Sequence, residues 1–159
     1  NAWIKEGFQL TTEVTIKEKS VIAVKENALL ISTKQQIEEK LDSADYTVID
    51  VRNREEYEGI DKRQNKYGGH IPNAVHLNWT DNFTIGEDGL PSLLSYEELK
   101  EKYESIGVVQ SKTVIPYCQT NVRGSNTYFV LRLMDYPQIR PYEGSWSEWG
   151  NTEDAKIEK

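Results

Sequence analysis

The sequence is poor in the residues that build disulfides, metal centres and membrane spans. Its one cysteine, Cys118, excludes an internal disulfide. Only two histidines, His70 and His76, accompany it, and no Cys/His spacing has the form of a zinc site. The reading therefore holds no metal and no cofactor. No apolar run approaches the roughly 20 residues that a membrane-spanning helix needs. Nor is there a surplus of positive charge: the 159 residues carry a net charge of −7. That balance argues against a nucleic-acid surface, which requires a basic face. A small anionic substrate stays compatible, because a pocket can be positive within a negative chain. One unpaired thiol fits a reducing compartment, the cytoplasm first and the periplasm as the alternative. No secretory leader is visible. The first residue is Asn1 rather than Met, so the sequence reads as a processed protein or an excised piece.

What is there is an alternation of short apolar runs with capped polar stretches. Residues 1–22 are mixed and polar and read as a linker. Residues 23–150 carry the alternation. Residues 151–159 read as a polar tail that frays. Ala28–Ile31 is a short apolar run. Thr33-x-x-Gln36 is a capping box that opens a helix to about Leu41. Thr47–Val51 is a buried strand rich in β-branched residues. Asn53–Tyr57 is a helical turn, Lys62–Gly69 a polar loop and Ala74–Leu77 a further strand. Ser95-x-x-Glu98 is a second capping box, with a helix to about Ser105 stopped by Gly107. Thr113–Tyr117 is a strand, and Cys118–Arg123 a loop. Gly124–Met134 is a helix expected to bury Phe129, Val130, Leu133 and Met134. Ile139–Tyr142 is a last strand. Strands separated by helices imply parallel units, hence an α/β open sheet with helices on both faces. Ligands of such sheets sit beyond the carboxyl ends of the strands, which is where Cys118 falls.

The stretch Tyr117-Cys118-Gln119-Thr120-Asn121-Val122-Arg123-Gly124 carries the chemistry. Only a thiolate is a competent sulfur nucleophile. A loop that turns into a helix aims main-chain N–H groups inward, and the helix start adds about half a positive charge. Arg123 adds a permanent one. Together these favour an anionic sulfur at Cys118, and equally a persulfide or an incoming oxyanion. The competing reading is an inert buried thiol, since free cysteine is among the most buried residue types.

At these residues the sequence resembles the rhodanese (thiosulfate sulfurtransferase) family, from about Leu29 to Gly150. Val48-Ile49-Asp50-Val51-Arg52 with Glu55-Glu56-Tyr57 looks like its first motif. Gly69-His70-Ile71-Pro72-Asn73-Ala74 looks like the second. Val114-Ile115-Pro116-Tyr117-Cys118 with the loop looks like its catalytic signature. Tyr142 to Gly150, with Trp146 and Trp149, looks like the closing motif of catalytic domains in two-domain members. Trp3-Ile4-Lys5-Glu6-Gly7 looks like the end of a preceding rhodanese-like domain, which the resemblance makes a partner within the same polypeptide; packing of Trp3 on this domain's own surface competes.

The resemblance implies a rhodanese-like open parallel sheet and a double displacement. Cys118 attacks the outer sulfur of a donor such as thiosulfate. The enzyme persulfide then passes its sulfur to cyanide or a thiol. Backbone amides from Gln119 to Gly124 would cradle that sulfur. Asp50 and Arg52 read as a structural ion pair, His70 as a hydrogen-bonding support, and Trp146 as packing or the lining of the pocket mouth. Two departures bear on the donor. Gln119-Thr120-Asn121 matches neither the thiosulfate nor the mercaptopyruvate type of loop. Glu56 stands where animal members carry a substrate-binding arginine. Two other functions compete. A Cys-x5-Arg phosphatase needs arginine six positions after the cysteine, but that position is Gly124 and Arg123 comes one residue earlier. A rhodanese-like binding or regulatory module would not need the cysteine that this chain keeps.

Overall fold

A computed structural model describes residues 2–25 and 27–159. Asn1, in the expected linker, and Glu26, early in the expected catalytic domain, lie outside the described residues. The elements are α1 (Ala2–Lys5), α2 (Lys34–Glu38), β1 (Tyr46–Asp50), α3 (Arg54–Tyr57), β2 (Val75–His76), β3 (Phe83–Ile85), β4 (Pro91–Leu93), α4 (Tyr96–Ser105), β5 (Thr113–Tyr117), α5 (Val122–Leu133) and α6 (Ser145–Trp149).

The centre is a parallel sheet in the order β2-β1-β5. Ile49 sits opposite Val75, and Tyr46 to Asp50 run beside Thr113 to Tyr117. Period-two alternation divides the core between its faces. Ile49, Val51, Val114 and Cys118 join Leu99, Tyr103, Val130, Leu131 and Met134 beneath α4 and α5. Val48, Ile115 and Tyr117 join Ile37, Ile71, Tyr142, Trp146 and Trp149 beneath α2 and α6. Both faces are covered, as a parallel sheet requires.

The expected capping boxes form. Thr33 and Gln36 bracket the start of α2, and Ser95 and Glu98 that of α4; Asn53 and Glu56 make a third at α3. Each satisfies two amides that a helix start leaves orphaned. Ser95→Ala is expected to cost about 1 kcal/mol and lower the melting midpoint by about 3 °C, read by thermal unfolding.

Three expectations are corrected, and one pair of strands appears where none was assigned. The segment 139–142 is not a continuous strand but touches the sheet through isolated bridges, Val114 to Ile139 and Ser32 to Tyr142. Val114 donates to the Gln138 carbonyl, and the next donor on that edge would be Pro116, which has no N–H. Phe129 and Leu133 are 58% and 52% exposed. The buried stripe of α5 instead runs through Gly124, Thr127, Val130 and Leu131. The segment between Trp79 and Leu93 forms a β3–β4 hairpin that the polar pattern concealed. The tail does not fray. Glu158 pairs antiparallel with His70, and the Trp149 indole donates to the Lys156 carbonyl. Among the described residues, no helix is long and apolar enough to cross a membrane.

The tail explains one glycine. Gly69 has φ +126°, and a Cβ there would lie 2.2 Å from the Glu158 carbonyl oxygen. Gly69→Ala is expected to expel residues 157–159. Amide hydrogen exchange at His70 and Glu158 should rise sharply while that of α4 stays unchanged.

Candidate active site

β5 delivers the chain to Cys118 at the carboxyl end of the sheet, and α5 begins four residues later. Asn121 makes the turn with φ 61°, a left-handed conformation that asparagine tolerates better than most residues. Its side chain lies over Gly124, where a Cβ would approach Asn121 Oδ1 to 2.2 Å. The glycine therefore lets the loop close against the helix it opens. Thr120 and Val122 face outward.

The loop is held from behind by α6. The Cys118 amide donates to Ser145 Oγ at 3.4 Å. The Cys118 and Gln119 carbonyls accept from the Trp146 and Ser147 amides, each at 2.9 Å. The Gln119 side chain is not aimed at a substrate. It exchanges two hydrogen bonds with the Asn65 amide, at 3.0 and 3.1 Å, and Asn151 donates to the same Asn65 oxygen. With these contacts made, the amides of Gln119 to Gly124 have no acceptor among the described residues. Three of these six, Val122 to Gly124, are the amides that any helix start leaves unpaired, and the turn before them adds three more.

Cys118 itself is buried, 1% exposed, at the edge of an apolar cluster. It is not sealed in hydrocarbon. Arg123 lies near enough for its charge to be favoured by an anionic Cys118. Arg123 is in turn gripped by both Glu56 oxygens, at 2.7 and 2.9 Å. The Glu56 hydrogen bonds, assisted by the charges of Glu56 and Cys118, raise the Arg123 pKa against the effect of burial. Glu56 is wholly buried and also takes Arg63 at 2.9 Å. Burial pushes its carboxyl up, but Arg123 first and Arg63 second hold it below the ordinary carboxylate range. Glu56 thus lies between two guanidiniums, and Arg63 also meets Asp61 at 3.9 Å.

A second network underlies the loop. Arg52 is bonded to Asp50 and to the Gly69 carbonyl, both at 2.6 Å, and its guanidinium lies 4.5 Å from the centre of the Trp146 ring. Burial works against the charge on Arg52, yet Asp50 outweighs it and raises its pKa. The Tyr117 hydroxyl donates to Asp50 at 2.6 Å and accepts from the Ile71 amide. Burial, then the Asp50 charge, raises the Tyr117 pKa well above its ordinary value, so it stays a neutral donor. Asp50 and Arg52 thus form a buried ion pair that braces Tyr117, the residue preceding Cys118. Trp146, fully buried between Arg52 and the Tyr67 carbonyl, lines no mouth. His70 stacks on Tyr57 at 3.7 Å, and its Nδ1 lies 2.9 Å from the Tyr57 carbonyl. A carbonyl only accepts, so Nδ1 carries the proton. His70 holds its own loop to α3 and the tail and does not reach Cys118.

The structure thus sets Arg123, anchored on Glu56, in the same turn as Cys118 and the unpaired loop amides, with Asp50 and Arg52 bracing Tyr117 before them and Trp146 holding the Cys118 carbonyl. Sequence reasoning missed Asn65, Arg63, Ser145 and Asn151, and took Glu56 only as a departure. Glu56 had one available signal, its place in the Asn53-x-x-Glu56 capping box. Ser145 had its place in the Tyr142–Gly150 motif; Arg63, Asn65 and Asn151 come from segments distant in sequence and had none. Among the described residues, no group of three or more His, Cys, Asp or Glu side chains is arranged to hold a metal ion.

Comparison with known proteins places this geometry. The rhodanese-like domain family matches residues 33–152. The chain is 34% identical over 157 residues to a thiosulfate sulfurtransferase of Pseudomonas aeruginosa, covering 99% of this chain and 56% of that protein. It is 30% identical over 157 residues to the thiosulfate sulfurtransferase of Azotobacter vinelandii, with the same coverage. To the sulfur carrier protein TtuD of Thermus thermophilus it is 32% identical over 177 residues, covering 99% of this chain and 58% of that one. The chain therefore spans a little over half the length of these relatives. Among solved structures, the anaerobic ergothioneine biosynthesis enzyme of Chlorobium limicola superposes with a TM-score of 0.81 at 23% identity, over 99% of this chain and 39% of that one. That likeness is one of fold.

Proposed function

The chain belongs to the rhodanese-like domain family, and on that premise we propose that it is a sulfurtransferase which carries sulfane sulfur as a Cys118 persulfide. The observation that carries the reading is a lone thiol at the end of β5, in a turn whose six following amides have no protein acceptor and whose Arg123 is anchored beside it by Glu56. That is the environment an anionic sulfur needs and an inert thiol does not.

In the first step the Cys118 thiolate attacks the outer sulfur of thiosulfate. A new S–S bond forms to Cys118, the donor S–S bond breaks, and sulfite leaves with its electron pair. The amides from Gln119 to Gly124 hold the terminal sulfur, with Arg123 as the fixed counter-charge. In the second step an acceptor nucleophile, cyanide or a thiolate, takes that sulfur and returns the electron pair to Cys118. Glu56 positions Arg123. Asn65, Ser145 and the Asp50–Arg52–Tyr117 network hold the turn in shape. The single cysteine supports a reducing compartment, the cytoplasm. A preceding rhodanese-like domain of the same polypeptide belongs to this reading, supported by the exposed Trp3, Phe8, Leu10, Val14 and Ile16.

Intact-mass measurement after incubation with thiosulfate tests the reaction class. The expected result is a gain of one sulfur atom that cyanide removes. No gain in mass, in a protein that remains folded, would overturn the proposal.

A further inference from the structure

Among the described residues, Arg52, Arg54, Arg63 and Arg123 each meet a carboxylate, and Arg132 and Arg140 meet none. These last two share a hollow of about 340 Å³ between the end of α5, the segment 137–140 and the helical turn Ala28–Leu30. That volume is at the small end of the range for small-molecule sites. Its walls are otherwise apolar, formed by Leu29, Leu30, Pro137 and Ile139, and no carboxylate of the described residues lines it. In a chain of net charge −7 the hollow reverses the overall sign. The last turn of α5 adds about half a negative charge, which two guanidiniums outweigh.

The hollow is held in shape by the sheet. The Val114 amide donates to the Gln138 carbonyl at 3.0 Å, and the Arg140 amide donates to the Val114 carbonyl at 2.9 Å. Gln138 Oε1 accepts the Thr113 hydroxyl at 2.9 Å, which leaves its side-chain NH2 to donate elsewhere. Arg140 is aimed by its Nε and Nη2, which donate to the Ile31 carbonyl at 3.4 and 3.1 Å; Nη2 also meets Gln36 Oε1. The Ser32 amide donates to the Pro141 carbonyl at 3.0 Å and so ties the leucine turn to the same floor. Leu29 and Leu30 nevertheless stay 72% and 56% exposed. Apolar side chains grouped at one rim beside two uncommitted guanidiniums ask for a ligand with both characters. An inorganic anion would leave the leucines bare, and a neutral hydrophobe would leave the guanidiniums unmatched. A carboxylate with an aliphatic body satisfies both.

We propose that the Arg132–Arg140 hollow is a binding site for a small amphiphilic carboxylate, with its charge on the guanidiniums and its aliphatic body on Leu29, Leu30, Pro137 and Ile139. The site shares no lining residue with the cysteine turn. Val122, in that turn, and Arg132 are roughly 15 Å apart along α5 at 1.5 Å per residue. The assignment therefore stands whether or not Cys118 carries sulfur, and it adds a second ligand to the domain rather than a part of the first.

The experiment titrates octanoate into the full chain, followed by calorimetry and by methyl NMR. Saturable binding with a Kd of roughly 1 mM is expected, with shifts concentrated on Leu29, Leu30 and Ile139. Octanol has the body without the charge, and acetate the charge without the body; each should bind at least about tenfold more weakly. Arg132 has no ion pair to lose, so Arg132→Gln should stay folded and bind octanoate about fivefold more weakly. Leu30→Glu sets a carboxylate at an exposed rim position and should abolish binding with the melting midpoint unchanged. No saturable binding to the parent protein, equal affinity for octanol, or undiminished binding in both variants would overturn the proposal. Shifts spread over the exposed apolar residues Phe8 to Val24 would overturn it too, as adsorption. So would a short glutamate-rich peptide that displaces octanoate and binds more tightly, since the face would then be a protein contact.

Discussion

Replacement of Cys118 by serine is expected to lower the rate of sulfur transfer by about a thousandfold or more, to the uncatalysed background. Every other feature of the turn acts on the sulfur, and none can substitute for it. A hydroxyl is not ionised near neutral pH and forms no stable bond to a transferable sulfur. The Arg123 guanidinium and the six loop amides would then face a neutral oxygen. The check is twofold: transfer from thiosulfate to cyanide should vanish, and the gain of one sulfur in intact mass should vanish with it. Because Cys118 is 1% exposed against an apolar cluster, a serine hydroxyl there also carries a desolvation cost. Cys118→Ala removes that complication and should give the same loss with near-parental circular dichroism. An alanine variant that still transfers sulfur would mean that the cysteine is packing and that the chemistry lies elsewhere.

The second large effect is expected at Glu56. Its carboxylate is fully buried and satisfies two arginines at once, so Glu56→Ala strands Arg123 in the turn that follows Cys118. Breaking a buried pair by removing one partner costs about 3–5 kcal/mol, which for a chain of this size lowers the melting midpoint by about 10 °C. Activity should fall as well, because an unanchored guanidinium no longer holds its place at Cys118. Glu56→Gln keeps the shape and one acceptor. It should retain more stability than the alanine variant while still losing transfer rate. The pH dependence separates charge from shape. Glu56 titrates below its ordinary value of 4.5 in the folded state, so it binds protons less readily folded than unfolded. Its contribution to stability is therefore complete above about pH 4.5 and drains away as the pH falls through the lower, folded value. The Glu56→Gln variant should show a flatter acid limb in a denaturation series below pH 4.5, with the parental curve steeper. Equal acid limbs would show that the Glu56–Arg123 pair is not the electrostatic anchor described above.

Local signals in the chain announced much of this. Thr33 with Gln36 and Ser95 with Glu98 marked two helix starts, because a capping box is made of residues three apart and needs nothing else. The apolar run at 47–51 and the one at 113–117 marked the central strands, because a strand covered on both faces reads as a continuous hydrophobic stretch. Cys118 and Arg123 stood out by their place between a strand and a helix. Phe129 and Leu133 misled, because apolar composition says nothing about which side of α5 faces the sheet. The side that packs on the sheet carries Gly124, Thr127, Val130 and Leu131, two of them not strongly apolar.

The two central strands and the caps were decided by the amino-acid sequence alone, and Cys118 and Arg123 were singled out by it, since each depends on neighbours within a few positions. Only the tertiary structure decided what surrounds the sulfur. Glu56 lies 67 positions before Arg123, Asn65 54 before Gln119, and Ser145 27 after Cys118. The tail that secures His70 comes from the other end of the domain. Such pairings form when the sheet brings separate loops to one edge and their buried polar groups must find partners there, a demand that no short stretch of sequence expresses.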